Sequence, residues 1–286
     1  MPLWNVPVVS TPGSVQRPAP RTRAVWLLAA GFALPLWAAE LPRERIDSWD
    51  AYVRLTEERI ASELGSAEGF LAQDFEDSAT ADREALLAGE LVVRRMKSVR
   101  PDGSDIDVPG GMIHHWRGAI FIPGVTLGEV LGDVMHPDAA ESRQEDVLEA
   151  RVLERGENWL RVYLRLVRSR IVTATYNTEH FVEYSRHGDR RASSRTIATR
   201  IRELADAGGP GEREKSPDED RGFLWRLHSY WRYEEVDGGV LVECESLTLS
   251  RSIPFFAAPI VRPIVASVAK ESLDRTLTSM RERMAL

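Results

Sequence analysis

The clearest alternation of apolar and polar residues in the chain lies between Gly222 and Pro254. From residue 223 to residue 234 the odd positions are mostly aromatic, whereas the even positions are mostly charged or polar. A period of two is typical of a β-strand with one buried face. Asp237 and Gly238 follow, and this pair supplies the backbone dihedral angles that a tight hairpin turn needs. The segment therefore predicts a two-stranded hairpin.

The turn also determines which residues of the hairpin lie opposite each other. It sets Trp231 opposite Cys244 on one face and Arg232 opposite Glu243 on the other, so that opposite charges meet. A slip of one residue would mix the two faces. We expect these residues to face inward: Trp225, Trp231, Tyr233 (opposite Val242), Val242 and Cys244. We expect these to face outward: Arg226, Arg232, Glu243 and Glu245.

Helical spacing of apolar residues occurs in three other places. Residues 43 to 64 predict an amphipathic helix that packs across the outside of the main domain. Thr126 and Glu129 have the spacing of a capping box and predict a short helix that ends before Pro137. After Pro254 a long final helix is predicted, with an apolar stripe made of Val265, Val268, Leu273, Leu277, Met280 and Met284.

Strand-like segments fill the region between the helices. They are predicted at 91–99, 112–123, 147–152, 159–175, 181–184 and 192–204. In residues 159–167 either face suits an interior, and we favour the face that carries Leu160, Leu164 and Leu166. The polar residues 205–221 predict a mobile loop, which is either a lid over the mouth of the domain or an exposed connection.

The first 39 residues differ from the rest of the chain. Arg21 and Arg23 precede an uncharged apolar run that ends in small residues, which is the layout of a secretory signal peptide cleaved near Ala38 or Ala39. An uncleaved membrane anchor is the alternative, although the run is short for a membrane span. We predict three parts: a signal peptide with a Pro-rich leader at 1–39, an N-terminal helical and hairpin extension at 40–111, and a main domain at 112–286.

Composition narrows the classes of function. With 43% hydrophobic residues the chain can bury a generous core. The formal net charge is −7, and removal of residues 1–39, which hold three arginines and no acidic residue, lowers it to about −10. A negative balance of this size disfavours nucleic acid as a partner. The single cysteine, Cys244, cannot form an internal disulfide, and its inward position favours a core residue over a nucleophile.

The order of the elements, together with the segments HHWRGAIFIPG and GFLWRLHSYWRYEEVDGGVLVECESLTLSRSIP, resembles the START-like (SRPBCC, polyketide cyclase and lipid-transport) superfamily, in particular a secreted bacterial branch. The resemblance covers about residues 112 to 284. It implies an α+β helix-grip fold, in which a curved antiparallel sheet wraps around a long C-terminal helix and encloses a ligand cavity. The N-terminal helix and hairpin are additions to that fold. The resemblance implies no catalytic residue and no cofactor.

In a helix-grip fold the inward residues of the strands and the residues that lead into the last helix become candidates for the ligand cavity. The polar candidates are His115 and Arg117, which share one face of their strand. The aromatic candidates are Phe121, Tyr163, Trp225, Trp231, Tyr233, Phe255 and Phe256. Such cavities are mostly apolar, with a few polar groups that orient the ligand. For any single aromatic residue, packing in a filled core is the alternative.

Motifs for common enzyme chemistries are missing from the sequence. It holds no nucleophile elbow, zinc-protease helix, phosphate-binding loop or dinucleotide fingerprint. His114 and His115 are adjacent, and neighbours in a strand point to opposite faces, so the pair does not predict a metal site. The arginines between 186 and 202 predict a solvated face, with a transient contact to a membrane surface as the alternative.

The leading hypothesis is a secreted or periplasmic protein that binds or moves a hydrophobic small molecule, either a lipid or an aromatic metabolite. One alternative is a cyclase-like or aromatase-like enzyme, which requires His115, Arg117 and Tyr233 to converge as acid, oxyanion partner and proton donor. The other alternative is an envelope module that binds a protein through an exposed apolar stripe on residues 46–64 and holds no ligand.

Overall fold

The computed structural model describes residues 41–137, 146–169, 173–217, 219–252 and 258–285. Within these residues nine strands form an antiparallel sheet in the order β1-β2-β9-β8-β6-β5-β4-β3, and β7 pairs with the end of β6. The strands are β1 Val92–Arg95, β2 Gly111–Pro123, β3 Val147–Arg155, β4 Trp159–Ser169, β5 Thr173–Arg186, β6 Arg191–Ala205, β7 Arg213–Glu214, β8 Arg226–Val236 and β9 Gly239–Arg251.

The helices of the described residues lie on both sides of this sheet. They are α1 Arg43–Leu64, α2 Ala79–Leu87, α3 Leu127–Val134 and α4 Ala258–Met284, with a short 3-10 helix at Ala72–Phe75. The side chains of α4 are described from Lys270 onward. Among the described helices, none combines the length and the apolar character that a membrane crossing requires. The predicted α+β helix-grip arrangement of a sheet and a long C-terminal helix is confirmed.

One face of the sheet packs against α4, and we call it the inner face. At Gly118 of β2 a Cβ atom would lie 2.7 Å from Leu277 and 3.0 Å from Leu273, so the absence of a side chain lets the helix approach the strand. Together with Met280, these two leucines belong to the largest core cluster, which also contains Val242 and Cys244 of β9. The predicted apolar stripe of the last helix therefore packs on the sheet where its side chains are described.

The opposite face, which we call the outer face, is covered by the N-terminal extension. Trp49, Tyr52 and Val53 of α1 pack against Leu247 and Leu249 of β9. Beside them, the chain from Phe70 to Leu86 packs against Ala119 and Leu241. The predicted helix at 43–64 matches the bounds of α1, and its position across the outside of the sheet is confirmed. The first strand of the sheet, β1, precedes residue 112 and pairs with β2.

The predicted hairpin register is confirmed residue by residue. Trp231 pairs with Cys244, Arg232 with Glu243 and Tyr233 with Val242. Gly238 in the turn has φ of +90°, the left-handed conformation that glycine adopts without strain. One expectation needs correction: the charged face of the hairpin is buried as well, with Arg232 and Glu243 almost fully covered. The reason is that the N-terminal extension lies on that face and supplies partners for the charges.

Other elements match the predictions to different degrees. The capping box is confirmed, because the Glu129 N–H donates to Thr126 Oγ1 and the Thr126 N–H donates to Glu129 Oε2. The predicted strands 159–175 and 181–184 are wrong in their division, since the structure has one strand to Ser169 and another over Thr173–Arg186.

The polar segment 205–221 is held by ion pairs from Glu203 to Lys215 and Arg221. The predicted signal peptide lies outside the described residues.

Candidate ligand-binding site

A row of half-buried side chains crosses the centre of the inner face. Trp116 of β2 pairs with Ser246 of β9, which pairs with Ser229 of β8, which in turn pairs with Thr196 of β6. All four retain accessible surface. On the outer face the pattern is reversed, because residues that alternate with this row, such as Arg117, are buried. The centre of the inner face is therefore the less tightly packed side of the sheet.

The same stretch of helix α4, residues 273–277, contacts both the β2 side and the β3 end of the sheet. Near β2 the contact is apolar, through Leu273 and Leu277 at Gly118. At the β3 end of the sheet the contact is ionic, with Arg275 Nη2 3.0 Å from Asp146 Oδ2. In the described part of the chain the close backbone approach of α4 is to β2 and, to a smaller extent, β9. Because β9, β8, β6, β5 and β4 lie between β2 and β3 in the strand order, the sheet curves around this stretch of α4.

The inner face combines aromatic rings with small hydroxyl side chains. The rings of Trp231 and Tyr233 are nearly parallel, with centroids 6.3 Å apart and planes 4° apart. Trp231 Nε1 donates to Ser229 Oγ at 3.3 Å, so this indole has its polar group satisfied within the sheet. Ser194 and Thr196 contribute further hydroxyls from β6. A mostly apolar surface with a few oriented polar groups is the usual composition of a small-molecule site.

His180 is the most unusual polar residue of the inner face. It lies on β5, paired with Val162 of β4 and Ala198 of β6, and it is 4% exposed. Its Nε2 is 2.8 Å from Thr178 Oγ1. Burial lowers the pKa of His180 to about 4, so its ring is neutral at pH 7. Among the described residues, Nδ1 of His180 has no hydrogen-bond partner, and the same is true of the Tyr176 hydroxyl on the same strand.

The outer face holds a buried polar network centred on Glu245. His115 Nε2 donates to Glu245 Oε1 at 2.6 Å, and Arg59 of α1 forms an ion pair with the same oxygen. The other ring nitrogen of His115 lies 2.9 Å from the Tyr52 hydroxyl of α1. Burial alone raises the pKa of Glu245, but the hydrogen bond from His115 and the charge of Arg59 outweigh it and lower the pKa to about 2. This network attaches α1 to β2 and β9.

A second part of the network attaches the segment between α1 and α2. Arg117 of β2, which is 1% exposed, lies within 3.4 Å of carboxylate oxygens from Glu76, Asp82 and Glu243. Glu243 also accepts the backbone N–H groups of residues 72 and 73, at 2.6 and 3.1 Å. These contacts satisfy both charges inside the protein, as buried ions require.

The structure places two of the predicted cavity residues on the inner face and five on the outer face. Trp231 and Tyr233 are on the inner face. His115, Arg117 and Phe121 are on the outer face, because the alternation in β2 sets Gly118 and Ile120 against α4. Phe255 and Phe256 lie outside the described residues. The expectation of an inward position for the three β2 residues is therefore corrected.

Trp225 and Tyr163 also lie on the outer side. Trp225 precedes β8, where the alternation has not yet begun, and it packs with the α1 cluster beneath the Arg45 guanidinium at 4.7 Å. Tyr163 donates its hydroxyl to Asn177 and carries Arg151 over its ring at 4.4 Å. The preference for the leucine face of this strand is confirmed, since Leu160 and Leu166 are buried on the inner side.

The residues required for a cyclase-like reaction do not converge. His115 and Arg117 contact the N-terminal extension on the outer face. Tyr233 lies on the inner face, with Ser194 as its hydroxyl neighbour at 3.5 Å. Within the described residues, no group of three or more His, Cys, Asp or Glu side chains is arranged to hold a metal ion.

The sequence analysis did not predict the half-buried row from Trp116 to Thr196, which we call the hydroxyl row after its Ser and Thr members, and it did not single out His180. Ser229 lies on the aromatic face of the hairpin, which was a signal that this face is not uniformly apolar. The row itself depends on the pairing of β2 with β9 and of β6 with β8. Those strands are distant in the chain or separated by a long connection, so no turn length gives their register.

Two open clefts border the outer face and differ in character from the inner face. One, of about 530 Å³, is lined mainly by charged residues, including Arg83, Arg190 and Asp237. The other, of about 520 Å³, lies between α1 and the strands that carry Arg195 and His228. Charged residues make up most of the lining of both clefts.

No protein-family model and no curated protein matches the chain. Solved structures similar to it include a STAR-related lipid transfer protein from Xanthomonas axonopodis, at 16% identity over 68% of this chain and 99% of that one, with a TM-score of 0.43. The Zhui aromatase/cyclase from a Streptomyces species has 12% identity over 60% of this chain and 94% of that one, with a TM-score of 0.38. A START superfamily protein from Mycobacterium smegmatis has 10% identity over 61% and 96%, with a TM-score of 0.38. The fold of the chain follows from its own strand order and C-terminal helix, which form a helix-grip arrangement.

Proposed function

We propose that this protein binds a hydrophobic small molecule, a lipid or an aromatic metabolite, between the inner face of the sheet and α4. The observation that carries the proposal is the half-buried row from Trp116 to Thr196, which lies on the inner face of a sheet that contacts residues 273–277 of α4 from two sides. A core that is only structural would place close-packed apolar residues at the centre of a sheet covered by a helix. Small hydroxyl residues with accessible surface are instead the floor of a site that accepts a ligand.

The alternative of an interaction module without ligand has less support. It requires an exposed apolar stripe on α1, whereas Trp49, Val53 and Ile60 of that stripe are buried. The enzyme alternative requires convergent polar groups, and its three candidates lie on opposite faces of the sheet. Binding is therefore the function that the geometry favours.

The proposal is tested by a substitution whose larger side chain fills part of the proposed site. In Ser246→Leu the larger side chain occupies space at the middle of the row, and we expect affinity for N-phenylnaphthylamine, measured by fluorescence titration, to fall about tenfold or more. The matched control is Ser185→Leu, the same substitution at an exposed position of β5, which is expected to leave the affinity unchanged. Native mass spectrometry of the purified protein is expected to show a bound apolar molecule. Equal affinities in both variants, or no binding by the unaltered protein, would contradict the proposal.

We also propose that the protein acts in the periplasm or outside the cell. The support is the sequence of residues 1–39, in which two arginines precede an uncharged apolar run with small residues at its end. N-terminal sequencing of the protein recovered from the periplasmic or culture fraction is expected to begin next to Ala38 or Ala39. Recovery of the unprocessed chain in the membrane fraction would favour the retained anchor.

A further inference from the structure

The hydrogen atoms around His180 can be assigned from the contacts of Thr178. The Thr178 hydroxyl has one hydrogen and lies 2.9 Å from the carbonyl oxygen of Leu164, which only accepts. That hydrogen is therefore donated to the carbonyl. His180 Nε2, 2.8 Å from the same hydroxyl oxygen, must then supply the hydrogen of its own contact.

The assignment determines the state of the other ring nitrogen. Burial keeps the ring neutral at pH 7, since it lowers the pKa of His180 to about 4. A neutral ring carries one hydrogen, and Nε2 has it, so Nδ1 is a hydrogen-bond acceptor. Among the described residues this acceptor has no donor. A buried acceptor without a donor destabilises the folded protein, and native proteins rarely leave one in that condition.

The surroundings of His180 limit what can supply the donor. Its neighbours across the two adjacent strands, Val162 and Ala198, are apolar and have no side-chain donor. His180 lies on the same face as the row from Trp116 to Thr196. The next inward residue along its strand is Val182, which pairs with Thr196 at the end of that row. A molecule lying along the row therefore reaches both apolar surface and the free acceptor.

Resting on the proposed function, we propose that the hydrophobic ligand carries a neutral hydroxyl group, which donates its hydrogen to Nδ1 of His180. A carboxylate has no hydrogen to donate and would place its lone pairs against those of Nδ1. An ether or a hydrocarbon of the same size would leave the acceptor unsatisfied. The site thus selects alcohols or phenols among apolar molecules.

The experiment compares two isomers that differ in this one property. Decanol has a hydroxyl hydrogen, whereas methyl nonyl ether has the same atoms without one, and decanoate is the anionic comparison. Dissociation constants for the full chain are measured at pH 7 by displacement of N-phenylnaphthylamine. Matched series with naphthol, methoxynaphthalene and naphthoate extend the comparison to aromatic ligands. We expect the ratio of alcohol to ether affinity to fall about tenfold in His180→Leu.

Two further variants separate the hydrogen bond from a general change in packing. Val182→Ala alters an inward residue on the same strand and is expected to keep the affinity ratio of the unaltered protein. Thr178→Val removes the acceptor of the Nε2 hydrogen, which frees the ring to carry its hydrogen on Nδ1. In that variant the preference for decanol is expected to shrink and affinity for the corresponding ketone to rise. Nitrogen NMR of the unaltered protein is expected to show an unprotonated Nδ1.

The outcomes distinguish the two proposals. If alcohol and ether bind with the same ratio in the unaltered protein and in His180→Leu, the acceptor holds only water and this inference is overturned, while the proposed function stands. Tighter binding of decanoate than of decanol, or a protonated Nδ1, overturns it as well. If no member of either series displaces the fluorescent probe and the probe itself does not bind, the proposed function fails and the inference fails with it.

Discussion

The two faces of the sheet differ in how their polar groups are satisfied. On the outer face the buried charges of Arg117, Arg232, Glu243 and Glu245 find partners on α1 and the segment that follows it. At the centre of the inner face the polar groups are small hydroxyls and the neutral ring of His180, whose Nδ1 has no partner among the described residues, and the ion pair of α4 lies apart at the β3 end. Paired charges suit the permanent attachment of the N-terminal extension at one position. Neutral groups without partners suit a ligand that binds and dissociates. One sheet thus has a face suited to permanent attachment and a face suited to the proposed ligand.

The largest expected effect comes from breaking the outer network. Arg117→Met leaves three carboxylates without their buried partner, and we expect the free energy of unfolding to fall by about 3–5 kcal/mol, as measured by urea denaturation. Arg161→Met is the matched control. Arg161 also pairs with two glutamates, Glu154 and Glu179, but its side chain is 40% exposed, so we expect a loss below about 1 kcal/mol. Similar losses in the two variants would show that the charges of the outer face are not shielded from solvent.

The next largest effect concerns the loss of stability in acid, to which His180 of the inner face contributes. The folded pKa of His180 is about 4, below its ordinary value of 6.5. As pH falls through this interval the unfolded chain takes up the proton first, so the stability is complete above pH 6.5 and is lost toward pH 4. This histidine contributes about 3 kcal/mol to that loss. His180→Leu is therefore expected to reduce the fall in unfolding free energy between pH 7 and pH 4 by that amount.

The control for this pH dependence is Val182→Ala on the same strand. It lowers stability at every pH and is expected to leave the slope unchanged. Glu245 of the outer network titrates in a lower interval, because its pKa of about 2 in the folded protein, against 4.5, stabilises the fold above pH 4.5 and this stability is lost toward pH 2. Burial also lowers the pKa of His114 and of His228 to about 4, so these two residues titrate together with His180 and their share of the loss remains in His180→Leu. A single acid transition that does not change in His180→Leu would contradict the separation of the two faces.

The smallest expected effect concerns the contact between α4 and β2 at Gly118. In Gly118→Ala the new methyl group would meet Leu277 and Leu273 at 2.7 and 3.0 Å, and we expect a loss of about 1–3 kcal/mol together with weaker ligand binding, since α4 must move. Gly132→Ala on α3 adds a methyl group in open space and is expected to stabilise the protein by up to about 1 kcal/mol. Thermal unfolding measures both. A neutral Gly118→Ala would mean that α4 does not rest on β2.

Local patterns in the sequence predicted the elements well. The hairpin from 222 to 254 and helix α1 followed from period and turn chemistry, because each depends on residues near each other in the chain. The face assignment of β2 failed for a different reason. Its odd and even residues are both largely buried, so alternation alone does not show which set meets α4. Only the close approach at Gly118 resolves it.

The candidate site was predicted less well than the fold. Aromatic residues drew attention because large rings are common in ligand cavities, yet Trp225 and Phe121 pack against the N-terminal extension. The sequence showed α1 but not the charges that it neutralises, since Glu63 and Arg232 meet only in the folded chain. Ser246 and Thr196 were overlooked because small hydroxyl residues look like ordinary surface positions until the sheet is assembled.

The pairing of β2 with β9 has a consequence for the order in which the protein forms. Arg117 and Glu243 are neighbours in the sheet although 126 residues separate them in the chain. During synthesis the edge of β2 that pairs with β9 therefore stays unpaired until most of the remaining sequence has left the ribosome. The antiparallel run from β3 to β6 needs only adjacent segments and can assemble early. We expect the closing of the sheet at β2 to be the slow step of folding, and β2 to be the segment most exposed to aggregation before that step.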